Sequence, residues 1–162
     1  MKKYKWIIIL LNLALLLIYF NHSIAEKEEL LKDGQLTLLE LAPVDPRSLL
    51  QGDYMSLRYK ISQNMDYDNM PKRGYCVVVP DSNGRAIIAR FQKELTPLHP
   101  GELLIKYTAL NKWNANIGAE SFFFQEGDAK KYEKAKYGGV KIDHEGNSLL
   151  IGLYDEQLRK IQ

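Results

Sequence analysis

The sequence predicts a mainly β domain, a small barrel or sandwich of about eight strands with one short helix, preceded by one N-terminal transmembrane helix. Three observations lead there. Trp6 to Phe20 is an apolar run broken only by Asn12 and preceded by Lys2, Lys3 and Lys5. Beyond Gly34 the chain breaks into short apolar runs separated by Gly, Pro, Asn and Asp. Beyond Gly34, helical periodicity shows over Gly127–Tyr137, where Ala129, Tyr132 and Ala135 recur at spacing three among lysines. The alternative is an α+β layout.

The apolar run is either a secretory signal or a membrane anchor. Ser23-Ile24-Ala25 offers small residues for cleavage. Against cleavage, Ala25 to Lys32 is strong helix-forming sequence, with neither Pro nor Gly before Gly34 to expose extended backbone. A helix over residues 6–25 is about 30 Å long, the thickness of a hydrocarbon core. We therefore expect an uncleaved anchor. Four acids and two lysines between Glu26 and Asp33, against three lysines before the span, orient it with the N-terminus in the cytoplasm. The expected divisions are a cytoplasmic N-terminus (1–5), an anchor in the bilayer (6–25), a helical juxtamembrane linker (26–34) and an extracytoplasmic domain (35–162).

In the domain, Gln35–Leu41 is the first predicted strand. Next, Asp45 is a preferred N-cap, Pro46 a preferred first helical residue and Gly52 a stop, which predicts one or two helical turns between them. From Met55 the pattern has period two: Met55, Leu57, Tyr59 and Ile61 point one way and Ser56, Arg58 and Lys60 the other, the signature of a half-buried strand. Gly74–Pro80 and Arg85–Gln92 read as strands joined by an Asp81-Ser82-Asn83-Gly84 hairpin loop. Leu103–Ala109 and Glu120–Gln125 follow around a polar, Asn-rich connection. Val140–Asp143 and Ser148–Leu153 close the chain across a turn at 143–147.

Composition excludes some chemistry. Removing the three N-terminal lysines from 22 basic residues leaves 19 against 20 acidic, about −1, so the domain lacks the electrostatic footprint of a nucleic-acid binder. Cys76 is the single cysteine, which rules out an intramolecular disulfide; in its apolar run it reads as a small hydrophobe. His22, His99 and His144 show no His-x-x-x-His spacing. Asp66-Tyr67-Asp68-Asn69 lacks the Gly and Glu that an EF-hand loop requires. No metal and no cofactor is expected. Ser48 to Asp53 resembles the segment after the nucleophile in membrane-anchored signal peptidases, but the serine's position, eight residues before the glycine, is Val44.

Gly52, Asp53, Tyr54, Leu57 and Tyr59 spell GDYxxLxY, and Pro43, Asp45, Pro46 and Arg47 match the stretch that precedes it, so the chain resembles the GDYxxLxY protein family of bacteria. The resemblance implies an N-terminal membrane segment, one extracytoplasmic domain and association with a multi-pass membrane protein. It carries no activity and no catalytic residue. The candidate surface is then the motif itself: Asp45, Arg47, Asp53, Tyr54 and Tyr59, read as a partner- or ligand-binding patch on a non-enzymatic module in the bacterial inner membrane, its domain periplasmic. The alternative is an envelope hydrolase using Asp45 and Asp53 as an acid/base pair.

Overall fold

The computed structural model describes residues 2–42, 54–63, 70–111, 114–125 and 127–162. It opens with one unbroken helix, α1 (Lys2–Asp33), about 48 Å long at 1.5 Å per residue. The stretch from Tyr4 is long and apolar enough to cross a membrane. The expected anchor and linker segments form one rod, because nothing between Trp6 and Asp33 breaks the hydrogen-bond ladder.

The rod ends at Gly34, whose N–H donates to Leu30 O at 3.0 Å. A Cβ there would lie 2.4 Å from that same carbonyl, so only glycine lets the chain turn this sharply. Leu30 is buried against the domain, 7 % exposed. The Lys141 ammonium donates to the carbonyls of Leu31 (2.5 Å) and Lys32 (3.1 Å), a cation on the negative end of the helix dipole.

The domain is strand-rich, with nine described strands in three antiparallel sheets. The first sheet has the order β1 (Gln35–Glu40), β8 (Tyr137–Ile142), β9 (Ser148–Tyr154). In the second, β4 (Ala86–Gln92), β3 (Arg73–Pro80), β5 (Leu103–Asn111) and β6 (Asn114–Asn116) lie side by side. The third pairs β2 (Tyr54–Ser56) with β7 (Ser121–Phe123). The two larger sheets touch where Leu38 N–H donates to Gly84 O (2.8 Å) and Lys106 N–H to Gly146 O (2.8 Å). They do not close into a barrel. Between them lies one core, with Cys76 and Val78 of β3, Ile105 and Tyr107 of β5, Val140 and Ile142 of β8 and Leu153 of β9.

Register fixes polarity. Gln35 pairs with Ile142 and Ile142 with Ser148 at the end where α1 docks; Glu40 pairs with Tyr137 and Tyr137 with Tyr154 at the other. Six residues of β8 separate the two ends by about 20 Å.

Most predicted strands hold to within two or three residues, and the 81–84 hairpin forms: Asp81 Oδ1 accepts the N–H groups of Asn83 (2.8 Å) and Arg85 (3.0 Å) while Gly84 takes φ 77°. Three expectations change. The strand over 55–61 keeps its alternation, Met55, Leu57, Tyr59 and Ile61 being buried and Ser56, Arg58 and Lys60 exposed, but ladder pairing stops at Ser56 and a helical turn, α2 (Lys60–Gln63), forms as Ser62 N–H bonds Tyr59 O. Helical structure over 127–137 shrinks to α3 (Ala129–Tyr132), since a lysine-rich single turn has little to bury beyond Tyr132, which packs on Phe122. The Asn-rich connection contains β6, held by backbone pairing of Thr108 with Asn116 and Ala109 with Ala115. The expected turns at 45–52 and the acidic stretch 66–69 lie outside the described residues.

Candidate functional site: the signature and its support

Of the five candidate residues, Asp45, Arg47 and Asp53 lie outside the described residues. Tyr54 is described by its backbone, which opens β2 and pairs with Phe123 of β7. Tyr59 is described in full, and it is an interior residue, 1 % exposed.

Period two sends Tyr59 inward, and two features receive it. Its ring lies over Gly138 of β8, where a Cβ would meet Cε1 and Oη at 2.9 Å. Glycine at that register position is what leaves room for an aromatic ring across the strand. Its hydroxyl donates to Ala119 O at 2.5 Å. Burial first, and the negative charge of Glu120 second, push the Tyr59 phenol far above its ordinary value, so it stays protonated and remains a donor.

The same turn is tied down from several sides. Leu57 N–H donates to Glu120 O (2.7 Å). The Glu120 carboxylate accepts the N–H groups of Ile117 (2.5 Å) and Gly118 (3.1 Å), and Ser148 Oγ donates to Ile117 O. The Leu57 and Tyr59 half of the motif therefore fastens strand to turn. Gly138 and Glu120 were not singled out from sequence; the readable sign was the Gly138-Gly139 pair beside an apolar run, which marks close approach of another group. Gly139 serves Tyr154 on the opposite face, where a Cβ would meet Cε2 at 2.3 Å.

The described residues flanking the rest of the motif are Ala42 and Tyr54. Ala42 N–H donates to Arg58 O (2.8 Å), and Leu41 N–H to Lys136 O (2.8 Å), at the end of the first sheet remote from α1. Beyond Tyr54, Met55 pairs with Phe122, whose ring is 4.9 Å from that of Tyr132 in α3. Both flanks thus adjoin the 132–136 segment. Near them, Phe123 is 74 % exposed and Lys60 pairs with Glu40 at 2.5 Å.

Elsewhere, Cys76 is fully buried and its thiol is pushed up to about 12 by burial, which leaves it an inert core group at neutral pH. Among the described residues no three His, Cys, Asp or Glu side chains gather in a way that could hold a metal ion. A cleft of about 960 Å³ lies between α1 and the domain, lined by His22, Glu26, Leu30, Leu98, His144 and Leu149 among others.

No curated protein and no solved structure matches the chain. A family model described as GDYXXLXY protein matches residues 16–153, from within the apolar helix to the last strand. With the motif's tyrosine locked into the core and the match running over most of the chain, the protein belongs to the GDYXXLXY family.

Proposed function

We propose that this is a single-pass protein of the bacterial cytoplasmic membrane whose β domain stands on the extracytoplasmic side and binds a partner through the Asp45, Arg47, Asp53 and Tyr54 part of the motif, without catalysis. The observation that carries this reading is the division of the motif. Its Leu57 and Tyr59 half is spent on the interior, while Ala42, the described residue that precedes the rest of the motif, stands about 20 Å along the first sheet from the end where α1 docks. A rigid pedestal supports the arrangement: α1 runs unbroken into the domain, so about eight residues, or 12 Å, separate the bilayer from the first strand. A domain held that close meets other membrane proteins at high effective concentration, and an associated multi-pass protein is the partner this geometry suits.

Affinity capture of the full chain from detergent-solubilised membranes tests it. Asp53→Ala and Arg47→Ala are expected to lose at least one partner retained by the unaltered chain, with secondary structure unchanged. The same partners recovered with both folded variants would remove the motif from any interface.

A further inference from the structure

The expected span carries its own polar pattern. Within residues 6–25, Asn12, Tyr19 and Ser23 fall on one side of α1: seven residues are about two turns and eleven about three at 3.6 residues per turn. Asn12 lies about 9 Å inside the hydrocarbon when the span begins at Trp6. There, a carboxamide has two donors and an acceptor that lipid cannot satisfy. Asn21, the other amide in the span, folds back and donates to Leu17 O at 2.8 Å. Among the described residues nothing hydrogen-bonds the Asn12 amide.

That side of the helix continues into the domain contact. Leu30, eighteen residues or about five turns beyond Asn12, shares its azimuth and is the α1 residue buried against the domain. Around it His22, Glu26 and Asp33 line the cleft of about 960 Å³. The polar stripe thus runs toward that cleft.

We propose that the Asn12, Tyr19 and Ser23 face of α1 binds a transmembrane helix of another protein, one carrying a hydrogen-bonding side chain at the depth of Asn12 and ending at the membrane surface above the cleft. A second copy of this chain does not fit the place. Two parallel copies joined through this face would each direct a domain into the path of the other's helix, because the domain docks on the same side. This inference shares the membrane anchorage of the function proposed above but not its motif surface.

Site-specific photocrosslinking in intact cells tests it on the full chain. Ile8 and Leu16 flank Asn12 by one turn, whereas Leu10 and Leu17 face away; all four are uncovered by the rest of the protein, so adducts report on neighbours. A benzophenone amino acid at 8 or 16 is expected to give at least about ten times the adduct seen at 10 or 17, with the crosslinked peptide mapping to a membrane-spanning segment of a second polypeptide. Asn12→Leu should cut that adduct by about three- to thirtyfold at equal membrane levels, and Asn12→Gln should restore most of it. Equal adducts around the helix, adducts of two copies of this chain, adducts to lipid alone, or an unaffected Asn12→Leu would each overturn it. Loss of the domain's partner in Asp53→Ala with a silent Asn12→Leu would leave the motif reading standing while this one fails.

Discussion

In α1, Trp6 is 73 % exposed, Leu10 70 % and Ile18 66 %; in β3 and β5, Val77, Val78 and Ile105 are 0 % exposed. Side chains of the same kind have opposite surroundings within one chain. The core strands find cover in each other, at about 25 cal/mol per Å² of apolar surface removed from water. The apolar stretch of α1 finds no such cover among the described residues, and water would charge it the same coefficient, so its length and apolarity suit a membrane span. The contrast locates the junction at Leu30, Gly34 and Lys141, where the exposed helix becomes part of the domain.

The largest effect belongs to the interior side of this contrast. Tyr59→Ala should destabilise the domain by about 3–5 kcal/mol, the usual loss for a buried aromatic. Tyr59→Phe, which strips the donor from Ala119 O, should cost about 1–2 kcal/mol. Denaturant titration of the full chain in detergent micelles reads both. An alanine variant within about 1 kcal/mol of the unaltered protein would mean that the ring is not part of the cooperative core.

A smaller effect sharpens the junction. Lys141→Ala removes the cation from the carbonyls of Leu31 and Lys32, a contribution of about 0.3–1 kcal/mol. Amide exchange is expected to quicken around residues 30–34 and to stay unchanged in β3 and β5. Unaltered exchange in the junction would show that Leu30 packing alone holds helix to domain.

The mildest effect at neutral pH is a half-buried ion pair at the edge of the cleft between α1 and the domain. Arg90 forks onto Glu102, with Nη2 to Oε2 at 2.8 Å, and Glu102 also accepts His99 N–H at 2.8 Å. The guanidinium, with that backbone N–H, lowers the Glu102 carboxyl to about 2. A carboxyl depressed in the folded state adds stability above its ordinary value near 4.5 and loses it as pH falls toward 2. The melting temperature of Glu102→Gln should therefore fall less than that of the unaltered chain between those pH values. Parallel curves would show that Glu102 does not titrate with folding.

What could be read from the residues was periodicity and turn chemistry. The alternation from Met55 to Ile61 assigned every side chain to the correct face, because it needs only the pleat. It could not show that ladder pairing ends at Ser56, since a partner as short as β7 is a long-range fact. The motif invited a surface reading; for Tyr59 the register of β8 decides otherwise, bringing Gly138 beneath the ring. β6 was hidden by its asparagines, which are tolerated because its bonds to β5 are backbone bonds. Asp45, Arg47 and Asp53 stand as sequence readings, outside the described residues.

The intact mass of the protein isolated from washed membranes tests the anchor most directly. A species of 18.7 kDa that keeps residues 1–25 and resists alkaline extraction is the predicted result. A species beginning at Glu26 and recovered in the soluble fraction would contradict the account.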